Sequence, residues 1–387
     1  MGLLKILFCI NLLFFPVGEL LRISFFGIET KLLDVSVFFF SLCWFSYGIV
    51  NKKINKTIYF PALGFIFMGF LSLAVNIWEF SPDQILKSSV YLFRWISYIG
   101  MFAFILSQKK DFKSLVKKLI IFTGIFIVGL GFIQFIFYQS LRNLFYLGWD
   151  EHLYRMFSIF LDPNFAGAFF VLFFLFLIDK VFSKIKKKNY LIVYSGISIA
   201  TLIAVLLTYS RSAFTMLVIG TCTYLILTKR KKMIFFLLTG FILLTFILPK
   251  AYKTEGTNFF RTFSSEARIV SYKQSIEIIK DNPIFGVGFN AYRFAKERHE
   301  FSFPRDYKSH SDASADNSFL FILATTGVLG FISYIYMWYR IGLNNKKSAL
   351  ILSSILALFV NSLFINSLFY TPILFWLWIV IGVTEST

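Results

Sequence analysis

Apolar segments long enough to cross a bilayer follow one another along almost the whole of this 387-residue chain. A helix needs about 20 apolar residues to span the hydrocarbon core. On that rule there are roughly twelve spans, over residues 3–18, 32–50, 58–78, 88–107, 116–138, 164–181, 190–208, 212–228, 232–249, 316–339, 348–366 and 369–384. The expected fold is an all-α integral membrane protein, one polytopic domain over residues 1–387. Met1 to Val17 has the lysine and apolar run of a signal peptide but no convincing small-residue cleavage site, so it is expected to stay as the first helix.

Composition excludes a soluble domain, whose surface must be polar: 57% of residues are hydrophobic, 53 are Phe, and the mean hydropathy is +0.72. The phenylalanines are expected mainly to face lipid, with Tyr and Trp near span ends forming interfacial belts. Trp149 and Tyr292 are among the aromatics able to stack on a sugar ring. The formal charge of +19 does not point to nucleic acid, because most lysines lie in short runs between apolar segments and no basic face is interleaved with stacking aromatics. Cys9, Cys43 and Cys222 all sit inside apolar segments, odd in number and without metal-ligand spacing.

The lysine runs set the orientation. Alternate loops hold Lys52, Lys53 and Lys56; Lys109, Lys110, Lys113, Lys117 and Lys118; Lys180, Lys184, Lys186, Lys187 and Lys188; Lys229, Arg230, Lys231 and Lys232; and Arg340, Lys346 and Lys347. These loops are expected to be cytoplasmic, with both termini. The loops around Glu79, Trp149, Arg211 and residues 250–315 then fall on the opposite face. The last is a large extracytoplasmic loop whose basic residues do not oppose this, since long loops translocate largely regardless of charge. No internal repeat is evident.

Function is expected to concentrate in that loop. Within it, Ala267, Ile269, Val270, Ile276 and Ile279 recur near helical spacing behind Ser264 or Ser265 as N-cap, with Glu266 in the first turn. Asn282-Pro283 ends this helix of about 15 residues, because proline disfavours a helical residue before it. Such an amphipathic helix would lie along the outer membrane surface or cap the bundle, roofing a cavity.

Arg211, in Thr208-Tyr209-Ser210-Arg211-Ser212, stands at the outer boundary, where a guanidinium either snorkels or holds an anion. Arg268, on the loop helix, is on the same side, and two converging arginines suit a diphosphate leaving group whose charge grows as the bond to the sugar breaks. Alone, Arg268 also reads as a solvated surface charge. Arg155 and Asp162-Pro163-Asn164 form another external element; Asp162 and Asn164 either start a helix or touch sugar hydroxyls. Asp316 and Asn317 lie where the loop enters the next span, as caps or facing a polar cavity. Arg293, in the same loop, joins Arg155, Asp162, Asn164 and Asn317 as a substrate-binding candidate, with Arg211, Arg268 and Asp316 as catalytic candidates. His152, His299 and His310 are isolated and form no ligand set, so neither metal nor other cofactor is expected. Gly286-Val287-Gly288 lacks the strand and the Lys-Ser/Thr of a nucleotide loop.

Taken in order, Asp162-Pro163-Asn164, Ser210-Arg211, Arg268 with its helix, Asn282-Pro283 to Gly288, and Asp316-Asn317-Ser318 to Gly330 resemble the O-antigen polymerase and ligase family, from about Met156 onward. The resemblance implies a bacterial plasma-membrane enzyme acting on the extracytoplasmic face. It would transfer a glycan from an undecaprenyl-diphosphate carrier to an acceptor hydroxyl, without metal or nucleotide, with Arg211 and Arg268 binding the diphosphate. In the ligase branch a histidine stands immediately before the asparagine that opens the post-loop span; here that position is Asp316, and His310 lies six residues earlier. The expectation is therefore a polymerase of lipid-linked repeat units for capsule, exopolysaccharide or O-antigen, inverting at the anomeric carbon, with a flippase and a chain-length regulator as partners. A ligase, a lipid-glycan transporter and a glycosyltransferase using peptidoglycan precursor are the alternatives. Transporters more often show paired repeats with interrupted helices, and the sequence shows none.

Overall fold

The computed structural model describes residues 1–25, 28–51, 56–183, 188–247, 255–258, 262–302 and 310–385. The chain is helical almost throughout: α1 (Gly2–Phe14), α2 (Leu32–Val50), α3 (Lys56–Val75), α4 (Pro82–Leu106), α5 (Lys110–Phe137), α6 (Pro163–Ser183), α7 (Lys188–Leu207), α8 (Arg211–Leu227), α9 (Lys232–Ile247), α10 (Phe263–Asp281), α11 (Tyr292–Arg298), α12 (Ser318–Asn344), α13 (Ala349–Asn361) and α14 (Thr371–Thr384). Among the described residues, α2, α4, α5, α6, α7 and α12 are long and apolar enough to cross a membrane, and six further apolar helices are shorter. Each expected span thus coincides with an apolar helix. Lys52, Lys53 and the lysines at 184, 186 and 187 lie outside the described residues, as do 250–254, 259–261 and 303–309 of the loop.

The helix ends follow local chemistry. Ser81 and Gln84 close a capping box on α4, with Pro82 at its first position. Ser210 caps α8, Asn317 caps α12 and Ser348 caps α13, each accepting a backbone N–H. One element departs from the all-α expectation: β1 (Arg22–Phe25) pairs antiparallel with β2 (Ile28–Lys31), setting Arg22 opposite Lys31.

Phenylalanine builds the core rather than chiefly coating the lipid face. Phe8, Phe40, Phe104, Phe169, Phe170, Phe173, Phe176 and Phe375 are all buried. Phe169 and Phe173 pack on Trp376 of α14, which is buried from Thr371 to Val383 and apolar on every side, as a central helix must be. Its Trp378 stacks on Trp338 at 4.9 Å and on Phe102 at 4.6 Å, and its Trp376 meets Phe169 edge-on at 4.8 Å. These contacts hold α4, α6 and α12 around it.

The bundle has two chemically distinct ends. At one, Lys5 lies over Phe112 (5.2 Å), the Lys113 ammonium donates to the Glu385 carbonyl (3.0 Å), and Arg230 covers Phe182 (4.2 Å). The starts of α1 and α5, the far ends of α6 and α8 and the C-terminal end of α14 therefore meet there. The other end collects the starts of α6, α8, α12 and α14 and carries α10 and α11.

The loop helix differs from its expectation in start and in face. α10 begins at Phe263, so Ser264 and Ser265 lie inside it and do not cap it. Ile269, Val270 and Ile276 are exposed (54%, 52% and 47%), whereas Ser275 and Ile278 are buried. The docked face is mostly polar (Ser264, Arg268, Ser271 and Ser275), with Ile278 packed among Val287, Tyr292 and Ala324.

α12 is interrupted. Gly327 has φ 64° and ψ −172°, which kinks the helix. Asn282 to Gly288 docks into the break: Val287 N–H donates to the Ala324 carbonyl (2.8 Å) and Val328 N–H to the Pro283 carbonyl (2.9 Å). Ser72 of α3 donates to the Thr325 carbonyl, and Asn76 just beyond α3 to the Gly286 carbonyl, both at 2.7 Å. The backbone groups freed by the break are thereby satisfied inside protein, the condition for irregular backbone at membrane depth. The interrupted helix that the sequence did not reveal is present, in single copy among the described residues.

Candidate functional site

Gly167 brings the starts of α6 and α8 together, because a Cβ there would overlap the Cβ of Ala213. Asp162 caps α6, accepting from Asn164 N–H at 2.6 Å. The Asn164 amide oxygen in turn accepts from the Ser210 hydroxyl (2.8 Å), which itself caps α8. Arg155 is buried, its Nε donating to the Thr208 carbonyl at 2.9 Å, so it braces the turn before α6 against the end of α7. The backbone is strained around it. His152, Tyr154, Ser158, Leu161 and Tyr209 all have positive φ, uncommon for residues with side chains and concentrated at functional sites.

Arg211 opens α8 and donates from Nη2 to both Ser264 (2.8 Å) and Ser265 (2.9 Å) on α10. Arg268, one turn further along α10, is partly buried with its guanidinium 5.9 Å from the Phe364 ring and close enough to Arg211 for the two charges to repel. The two arginines named from the sequence are therefore neighbours, held by the serines expected to cap α10.

Asp316 lies within electrostatic reach of Arg268, partly buried, with its backbone N–H donating to Ser271 Oγ at 3.1 Å. Burial pushes its carboxyl up to about 6 from an ordinary 3.8; Arg268 opposes that shift, and Asp162 reinforces it. Asn317 accepts from the N–H groups of Phe319 (2.8 Å) and Leu320 (3.1 Å) and donates to the Leu363 carbonyl (3.2 Å), locking α12 to the end of α13. Tyr272 donates to the same carbonyl. Asp150 is solvent-accessible, and desolvation and then Asp162 raise its carboxyl. Arg293 is exposed on α11, and the side chain of His310 lies outside the described ones.

The sequence reading missed a set of charges at this end. Glu19 is buried, paired with Lys31 and with Arg22 (3.4 Å). Lys31 lies 5.0 Å from the Tyr370 ring, and that ring stacks on Phe165 (3.9 Å), next to Asn164. Asp34 accepts from Arg94 (3.2 Å) and from the Tyr98 hydroxyl (2.6 Å). Asp34 and Arg94 stand inside apolar runs, where an ionisable residue is itself a signal.

The arrangement defines a multi-pass helical membrane protein with a charged site at one end of its bundle, in which Arg211 and Arg268 are neighbours and Arg268 acts on the partly buried carboxyl of Asp316. Residues 196–335 match the O-antigen ligase family model, so the chain is O-antigen polymerase/ligase-like over that stretch. The match takes in Arg211, Arg268, Asp316, Asn317 and the Gly286 and Gly327 junction. It begins after the Asp162-Pro163-Asn164 turn, which carries the first part of the resemblance. That family implies a glycan-processing membrane protein, glycosyltransferase-like, of the polymerase or ligase type. No curated protein matches the chain.

Proposed function

We propose that the chain polymerises undecaprenyl-diphosphate-linked oligosaccharide units on the outer face of the bacterial plasma membrane, for capsule, exopolysaccharide or O-antigen. The observation that carries this reading is the juxtaposition of Arg211, Arg268 and Asp316 within the family-matching stretch. In this scheme the Asp316 carboxylate accepts the proton of an acceptor hydroxyl, whose oxygen attacks the anomeric carbon of the donor. The bond from that carbon to the diphosphate oxygen breaks, and the diphosphate leaves with its added charge against Arg211 and Arg268. One direct displacement inverts the anomeric centre and requires no metal. Arg155, Asp162, Asn164, Asn317 and Arg293 are proposed to contact or frame the sugars, and a flippase and a chain-length regulator to act alongside.

The lysine-rich end, where α1 and α14 meet the start of α5, is assigned to the cytoplasm, which puts the site and loop 250–315 outside. A ligase remains the second reading, favoured by the matched family's description. A transporter is the third, favoured by the interrupted α12.

Purified protein in liposomes, given undecaprenyl-diphosphate oligosaccharide and chelator, separates these readings. A product ladder that disappears in Arg211→Ala and Arg268→Ala supports polymerisation. Transfer only after a separate lipid acceptor is added makes the chain a ligase, and lipid movement without transfer makes it a transporter.

A further inference from the structure

α11 contributes a buried lysine to which the scheme above gives no role. Lys296 is 7% exposed, and its ammonium donates to Asp312 Oδ1 at 2.6 Å; Asp312 is equally buried. A buried ion pair is a costly way to gain stability, since well-packed apolar residues often serve as well. Its place along the chain gives it a second use. Asp312 precedes Asp316 by four residues, and the segment between them is clamped on the far side by Ala315, buried among Ile278, Tyr292, Ala295 and Phe321. Tyr292 opens α11 and shares a 2.8 Å hydrogen bond with Ser275 of α10, while Ser271 of α10 holds the Asp316 N–H. α10, α11 and the 312–316 segment thus form one unit around Asp316, with Lys296 as its buried cation.

We propose that Lys296 is a positioning residue for Asp316: through Asp312 it fixes the segment that carries the carboxyl and stands as the buried cation of that unit. The proposal rests on Asp316 being the proton acceptor of the proposed reaction. The groups facing Asp316 are Arg268 and Tyr272 from α10, Lys296 and Tyr292 from α11, Asp162 from the turn before α6 and Asp150 from the loop after α5. Arg268 and Lys296 are the cations among them, set against burial and two carboxylates.

An ion pair that only clamps the chain works in either polarity, whereas one that tunes Asp316 does not. The test therefore compares Lys296→Met, Lys296→Arg and the swapped pair Lys296→Asp with Asp312→Lys, as full-length protein in liposomes. Two readouts are followed against pH: elongation of undecaprenyl-diphosphate oligosaccharide, and carbodiimide labelling of the protonated Asp316 carboxyl, measured by mass spectrometry. Lys296→Met should move the labelling midpoint and the acidic limb of the rate upward by about half to one unit. The swapped pair should move them at least as far although the pair is restored, and Lys296→Arg should restore wild-type behaviour. Unmoved midpoints in the methionine variant and the swap, even with slower turnover, overturn the proposal. Labelling reads Asp316 whether or not glycan is elongated. Shifted labelling with an unchanged rate profile would thus leave Lys296 acting on Asp316 and instead remove Asp316 from the chemistry.

Discussion

Asp316 binds its proton more tightly in the folded chain than an exposed aspartate does, because burial penalises its charged form. Folding is therefore penalised in full above about 6, and the penalty fades as pH falls towards 3.8. Asp316→Asn should raise stability at pH 8 by about 1–2 kcal/mol, less than the whole shift because the group is only partly buried, and by about half as much at pH 5. The same change should slow elongation by about 10²–10⁴-fold. Thermal unfolding in detergent at both pH values, beside the rate, checks the pair; a variant destabilised at both would make Asp316 a structural residue. In the wild type the rate should rise between pH 5 and 7 as the carboxyl ionises. At Arg211, Arg211→Lys keeps the charge but loses the planar guanidinium, whose Nη2 reaches Ser264 and Ser265 and whose fork grips a diphosphate bidentately in the proposed reaction, and about a tenfold fall in rate is expected. A rate equal to wild type would reduce Arg211 to a point charge. Arg211, Asp316 and Asn317 were legible because each stands at an apolar boundary where a polar residue needs a reason, and Arg268 because its loop helix lies on the same side as Arg211. Glu19, Arg22 and Lys31 were not, because their pairing depends on a short hairpin that brings together residues nine and twelve apart.

Elements were legible where hydrophobic length decides and illegible where a polar partner does. α2 begins and ends where its apolar run does, at Leu32 and Val50. α10 presents the face opposite to the expected one, because isoleucine spacing reports that a helix is present but not which face a polar neighbour will claim, and Arg211 claims Ser264 and Ser265. The break in α12 was written as Thr326-Gly327-Val328-Leu329-Gly330, yet a glycine in a membrane helix is common enough that only the docked 282–288 segment gives it meaning. Gly327 occupies a conformation essentially reserved for glycine, and a Cβ there would overlap the Ile284 carbonyl. Gly327→Ala should therefore destabilise the protein by about 3 kcal/mol or more. Gly129→Ala, on a helix with open space at its Cβ, should be neutral or stabilising by about 0.5–1 kcal/mol. Urea unfolding of the two variants side by side checks the contrast, and equal stabilities would mean that the 282–288 segment is not locked into the break.

At the scale of the whole molecule the two ends differ in kind. One sets its lysines and arginines mainly against aromatic rings and chain ends, with Lys180 beside its neighbour Asp179; the other pairs its cations with carboxylates and serines from distant elements. Positive charge retained on one side by the membrane's own asymmetry needs no protein partner, whereas cations assembled for chemistry must be aimed. The sequence disclosed this division through the alternation of lysine-rich loops, without showing that α14 would be the helix threading the centre. The division makes a topological prediction. In a background with Cys9, Cys43 and Cys222 replaced by serine, cysteines placed at the exposed Lys109 and Lys231 should react with a membrane-impermeant maleimide only after the cells are permeabilised. A cysteine at the exposed Lys273 of α10 should react in intact cells. The reverse pattern would put Arg211, Arg268 and Asp316 on the cytoplasmic side, out of reach of an outward-facing lipid-linked glycan, and would remove the polymerase and the ligase together while leaving the fold untouched.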